Sequence, residues 1–183
     1  MEKTKTTTQK VKKEKSDKEN VMRKIRIEKV VLSIGATADK LEKGFKLLER
    51  LSGKKPVKIA STKRIPSFGV RPGLEVGCRV TLRGKEADEM LKRLFVAINR
   101  ILKKKQFSEN SFSFGVHEYI EIPGIQYQRD IGIMGFDISV AFVRLGKRVT
   151  RKKLKQGRLP KKQVITKEEI MKFMEDNYNI KLA

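Results

Sequence analysis

Val76-Gly77-Cys78-Arg79-Val80-Thr81-Leu82-Arg83 alternates apolar and polar or small positions residue by residue. Successive side chains of a strand point to opposite faces. Val76, Cys78, Val80 and Leu82 therefore predict a buried face, and Arg79, Thr81 and Arg83 an uncovered one. Such a strand belongs to a sheet that is covered on one side only. Upstream, Ile25-Arg-Ile-Glu-Lys-Val-Val-Leu-Ser-Ile-Gly35 is rich in β-branched residues and reads as a strand. Leu41, Phe45, Leu48 and Leu51 follow at helical spacing, with Gly53 placed to cap the end, and a short strand fits Val57 to Ala60. Downstream, Ala87, Leu91, Leu94, Ile98, Ile101 and Leu102 form the stripe of a second helix. Strands fit Ser113 to Ile122 and Phe136 to Val143. Thr166-Lys-Glu-Glu169 is a capping box ahead of Ile170, Phe173, Met174 and Tyr178 on one helical face.

The fold expected is α+β: an antiparallel sheet with helices packed on one face. Up to Val143 the order is the β-α-β-β-α-β of the split β-α-β arrangement, with room for an extra strand near the end. RNA-recognition modules share that topology, but their aromatic strand signature is absent. Phe112-Ser-Phe114-Gly115-Val116 is the nearest stretch and lacks the leading Lys/Arg-Gly. Base stacking on the sheet is therefore not expected.

The 183 residues carry 44 Lys+Arg against 21 Asp+Glu, a formal charge of +23. Solubility of a small domain needs only about 2–8 charges, so the surplus points to a polyanionic partner, nucleic acid ahead of an anionic membrane. Residues 1–21 are a basic, apolar-poor arm that cannot bury enough surface to offset its ordering entropy, and are expected to be disordered. Residues 22–183 are expected to form a single RNA-binding domain. Within it, residues 53–72 hold six basic residues and no acid, and Arg144 to Gln163 hold ten and no acid. Both read as phosphate-binding surfaces, the second through Arg148, Arg151, Lys152 and Lys153. Ser61 to Glu75 reads as a long, basic, protruding hairpin loop. Pro72-Gly73 is its type II turn, and Phe68 is either an outward anchor or stacking surface or tucked under its own loop. The longest uncharged stretch, Val30 to Ala38, has nine residues, well short of the roughly 20 apolar residues of a membrane span. No secretory signal is expected at the start, and one cysteine, Cys78, fits a reducing compartment.

Catalytic and metal readings find little support. His117 is the sole imidazole, and on a strand it would stand roughly 13 Å from Glu121, too far to share an ion. Asp130 and Asp137 would be the carboxylates of a magnesium-dependent nuclease, but an aspartate beside glycine more commonly serves a turn. No catalytic residue, metal or cofactor is expected. A chromatin protein coating DNA is the rival from another class.

Five segments occur in a fixed order: Ile27-Glu-Lys-Val-Val-Leu-Ser-Ile-Gly35, Gly53-Lys-Lys-Pro-Val57, Val76-Gly-Cys-Arg-Val-Thr-Leu-Arg-Gly84, Phe112-Ser-Phe-Gly-Val-His-Glu-Tyr-Ile-Glu-Ile-Pro-Gly124 and Gly132-Ile-Met-Gly-Phe-Asp137. Together they resemble the large-subunit ribosomal protein five family, in its archaeal branch, from about Met22 to the end. The resemblance implies a non-enzymatic constituent of the cytoplasmic ribosome that binds 5S rRNA and large-subunit rRNA in the central protuberance. It implies 5S rRNA contacts at Ser33, Lys54, Phe68, Thr81, Arg83 and Asp137, to which the uncovered strand face adds Arg79. Ser33 stands where many relatives have Asn, and Lys54 where many have Gln. The loop from Ser61 to Gly73, with Lys63, Arg64 and Arg71, would face the elbow of P-site tRNA. Other central-protuberance proteins, and a small-subunit head protein across an intersubunit bridge, complete the implied partners.

Overall fold

The computed structural model describes residues 20–183. The expected arm over 1–21 lies outside them except for Asn20 and Val21. A single 3-10 turn, Val21–Arg23, leads into β1 (Ile25–Gly35), α1 (Asp39–Ser52), β2 (Val57–Ala60), β3 (Glu75–Leu82) and α2 (Lys85–Ala97). Then come β4 (Ile101–Leu102), β5 (Phe107–Ser108), β6 (Ser111–Val116), β7 (Phe136–Arg144), the one-turn α3 (Arg148–Arg151), α4 (Lys167–Tyr178) and β8 (Lys181–Leu182). One six-stranded sheet runs β2-β3-β1-β7-β6-β5, with every neighbouring pair antiparallel. β1 and β2 thus run parallel with β3 between them, which is the split β-α-β expected, and β6 and β5 extend the sheet beyond β7. β4 and β8 form a separate parallel pair.

Alternation decides which face is covered. Val30, Leu32 and Ile34 of β1, Cys78, Val80 and Leu82 of β3, and Ile138, Val140 and Phe142 of β7 are all buried. Against them pack Leu41, Leu47, Leu48 and Leu51 of α1 and Ala87, Leu91, Leu94 and Phe95 of α2. Gly53, at φ 64°, ends α1 by donating its N–H to the Glu49 carbonyl at 2.8 Å. Phe112 and Phe114 of β6 also point into the core. Their rings stack with Phe95, Phe107 and Phe142 at centroid distances from 5.3 to 6.3 Å. α4 starts at the expected capping box, in which Thr166 Oγ1 accepts from the Glu169 N–H and Glu169 returns the bond. Tyr178 at its end sets its ring edge on Phe95 and donates its hydroxyl proton to Asp88 at 2.5 Å.

Two boundaries differ from the sequence reading. The second helix stops at Ala97, because Asn99 and Arg100 both adopt left-handed backbone (φ 54° and 56°), and Ile101 and Leu102 become β4. Leu102 is buried but Ile101 is 51% exposed, so the apolar stripe expected of one helix ends before them. The strand expected through Ile122 stops at Val116. The chain bends at His117 and makes a 3-10 turn at Tyr119–Glu121, where the Tyr119 N–H donates to the Met134 carbonyl instead of to a strand partner. The strand premise of the His117–Glu121 separation therefore does not hold.

Candidate nucleic-acid interface

Opposite the helices, the same strands present a different set of residues, and the register aligns them in rows. One row reads Val57, Arg79, Ser33, Asp137 and Gly115 across β2, β3, β1, β7 and β6. The next reads Thr81, Val31, Ser139 and Ser113, and a third Lys29, Ala141 and Ser111. None of these residues is buried. The centre of this face is thus small side chains, mostly hydroxyls, with the charges of Arg79, Asp137 and Lys29 set among them. Close approach is built into the backbone as well. A Cβ on Gly77 would lie 2.9 Å from the Ile34 carbonyl oxygen, so only glycine lets β3 sit this close to β1.

Such a surface suits a ribose-phosphate backbone. Hydroxyls both donate and accept and lose little freedom when fixed, and a guanidinium grips phosphate oxygens in pairs. A 2′-hydroxyl offers the matching donor and acceptor. Ser33, Arg79, Thr81 and Asp137 are brought together on this face, and Arg83 lies one residue beyond β3. Lys54 lies apart, in the turn after α1, ion-paired with Glu86. Alternation in Ser111-Phe-Ser-Phe-Gly-Val116 carried the signal for Ser111, Ser113 and Gly115, which the sequence reading did not single out. Ser139 and Ala141 follow likewise from the alternation of β7.

Phe68 belongs to the β2–β3 loop, which is a small hairpin in its own right. Its base is closed by the Ser61 N–H on the Leu74 carbonyl and the Gly73 N–H on the Ser61 carbonyl, both at 2.8 Å. Ile65 and Val70 pair inside it. The Leu74 N–H donates to the Arg71 carbonyl at 3.1 Å with Gly73 at φ 86°, as a type II turn requires. Of the two readings of Phe68, the outward one holds: it is 78% exposed, while Val70 is the residue that tucks in. Lys63, Arg64 and Arg71 are exposed around it.

The basic segment beyond β7 is tied down at both ends. Arg144 donates to the Lys162 carbonyl at 2.8 Å and pairs with Glu169 at 2.7 Å. Glu28, at the β1 bulge between Ile27 and Lys29, accepts from Lys147 at 2.6 Å and from Arg151. Burial alone would raise the Glu28 pKa, but the hydrogen bonds and charges of Lys147 and Arg151 outweigh it and hold the carboxyl below its ordinary 4.5. Arg151 is thus partly neutralised from within. Arg148, Lys152 and Lys153 have no carboxylate partner among the described residues, and neither do Arg79, Arg83, Lys63, Arg64 and Arg71. Cys78 is buried on the helix side, where burial pushes its thiol pKa up. Asp130 sits in a turn closed by Ile131 and Gly132 N–H groups on the Gln128 carbonyl, whereas Asp137 lies within a strand, so the turn reading fits only the first.

These features define a class: a basic α+β protein whose sheet has one bare side, with an exposed basic loop and a tethered cationic segment. Residues 20–71 match the family profile described as Ribosomal protein L5, and residues 75–179 match the profile for the C-terminus of the same ribosomal family. The chain is 41% identical over 168 residues to the large ribosomal subunit protein uL5 of Sulfurisphaera tokodaii, covering 90% of this chain and 95% of that protein. It is 40% identical to the uL5 proteins of Nanoarchaeum equitans and Methanobrevibacter smithii, covering 90% and 88% of this chain and 99% and 96% of theirs. The chain belongs to the ribosomal L5 family: it is a protein of the large ribosomal subunit in the cytoplasm, a structural component and not an enzyme. The two matched segments share one sheet, since β1 of the first is hydrogen-bonded on either side by β3 and β7 of the second.

Proposed function

We propose that this protein binds 5S rRNA with the bare face of its sheet and holds it against large-subunit rRNA in the central protuberance. The observation that carries this reading is the set of hydroxyls, with Arg79 among them, aligned in rows by the register of β3, β1, β7 and β6. Arg79 and Arg83 bind phosphates, Ser33 and Thr81 bond ribose or phosphate oxygens, and Asp137 accepts from base donors. Lys54 exchanges Glu86 for a phosphate, and Arg148, Arg151, Lys152 and Lys153 contact the large rRNA. The loop from Ser61 to Gly73 reaches P-site tRNA, with Phe68 at its tip and Lys63, Arg64 and Arg71 on its flanks. Residues 22–183 act as one RNA-binding domain, with the basic stretch over 1–21 outside it. Between His117 and Asp130 the acids Glu118, Glu121 and Asp130 outnumber the single base Arg129. That local reversal of sign favours protein over RNA as the neighbour there, which supports a contact with the small-subunit head or with another central-protuberance protein.

Affinity is expected to come chiefly from counterion release and to fall steeply with salt. The test is binding to 5S rRNA, tRNA and duplex DNA of similar length across a salt series. Binding to 5S rRNA that outlasts the other two supports the proposal. Three affinities that collapse together would make the chain a generic polyanion binder of the DNA-coating kind.

A further inference from the structure

An open groove of about 670 Å³ runs along the end of the sheet where β1 turns into α1. Its lining includes Ser33, Gly115 and Asp137 from the bare face, Lys40 and Lys43 from α1, and Ile133 from the segment before β7. Asp137 is the anomaly of this surface. It is exposed, and its carboxylate forms no hydrogen bond or ion pair with any described residue, although Arg79 lies two strands away in the same row. A Cβ on Gly115 would stand 3.3 Å from Asp137 Oδ1. The carboxylate therefore lies over the glycine, on the β6 side and away from Arg79. A lone anion on an RNA surface repels phosphates, so what it can do there is accept hydrogen bonds from N–H donors.

Unpaired RNA bases are recognised by hydrogen bonds to their exposed edges. Guanine presents N1–H and N2–H side by side, two parallel donors that match the two oxygens of one carboxylate. Cytosine and adenine offer a single amino group beside an acceptor nitrogen, and uracil has one N–H between two carbonyls. We propose that the groove takes an unpaired guanine of the bound RNA, its Watson–Crick edge on Asp137, its phosphates on Lys40 and Lys43, and its face against Ile133. The assignment rests on the RNA-binding reading above and adds a base preference and two lysines to it. The groove is well within the size range of small-ligand sites, about 300–1,000 Å³.

The test uses the full chain and four hairpin RNAs that differ only in one bulged nucleotide, G, C, A or U. The expected result is binding of the bulged-G hairpin at least about tenfold tighter than the A or U hairpin, the scale of one bidentate base contact. D137N should erase that preference. The Lys40→Ala, Lys43→Ala double variant should weaken all four hairpins equally and lower the salt slope by about 1.5, near 0.7–0.9 per phosphate contact. Equal affinity for the four hairpins, or a guanine preference that survives D137N, would overturn the assignment. Measured alongside, 5S rRNA, tRNA and duplex DNA separate the two ways of failing. Retained 5S rRNA selectivity with a flat hairpin series removes the guanine site alone, whereas loss of both removes the RNA-binding reading as well.

Discussion

The two faces of β7 carry opposite kinds of residue. Phe136, Ile138, Val140 and Phe142 lie in the core, while Asp137, Ser139 and Ala141 between them face outward. One backbone thus carries two residue sets selected by unrelated physics. Inward positions answer to volume and hydrophobic burial, and outward positions to approach distance and hydrogen-bonding capacity. The lesson is separability: changes on the inner face should alter stability and spare recognition by the folded molecules, and changes on the outer face should do the reverse.

The largest expected effect is on the inner face. Phe112→Ala empties the centre of the stacked ring cluster and should cost about 3–5 kcal/mol of folding free energy, read from denaturant melts. Molecules that remain folded should bind 5S rRNA as before. A loss of intrinsic affinity in those molecules would break the separation. Arg79→Ala on the outer face should leave stability within about 0.5 kcal/mol. It should weaken 5S rRNA binding by about 1.5–3 kcal/mol, the worth of a charge-assisted hydrogen bond, and flatten the salt dependence.

Two smaller effects sharpen the picture at the margins of the faces. Glu28→Gln should release the segment beyond β7 from the sheet and cost about 1.5 kcal/mol, seen as faster proteolysis after its lysines. Because the folded pKa of Glu28 is held below 4.5, its contribution is full above that pH and disappears as the pH falls through the folded value. Proteolysis with an acid-active protease should therefore accelerate on acidification in the wild type and stay level in the variant. Tyr178→Phe, which removes the bond to Asp88, should cost about 1 kcal/mol and leave RNA binding untouched. Burial and the neighbouring Asp88 raise the Tyr178 phenol pKa well above its ordinary 10. Its stabilisation thus persists below pH 10 and fades above it.

Much of this was legible in the sequence because alternation and capping are local signals. Gly53, the Thr166 box and the two-sided strand from Val76 to Leu82 each announce their geometry within a few residues. What failed was long-range. The stripe ending in Ile101 and Leu102 gave no warning that Asn99 and Arg100 would break the helix, since pairing of β4 with β8 depends on the distant chain end. The exit from the sheet at His117 depends likewise on Met134, seventeen positions on. In the interface, Arg79 and Thr81 were readable from the alternation of their own strand, whereas Ser33 rested on the family resemblance alone. Their alignment with Ser139 and Ser113 was not, because register belongs to the sheet and not to any strand. Glu28 was hidden for the same reason, its partners Lys147 and Arg151 being more than a hundred residues away.

The central claim is that RNA covers the bare side of the sheet and leaves the outer side of α2 free. Cys78, the sole cysteine, is buried, so new thiols can be read without interference. Cysteines placed one at a time at Ser113 and Ser139 on the bare face, and at Glu89 and Lys92 on the exposed side of α2, would be labelled with a maleimide with and without 5S rRNA. The account predicts that RNA protects the first two and leaves the second two reactive. Protection of the helix-side thiols, with those at 113 and 139 still reactive, would contradict it.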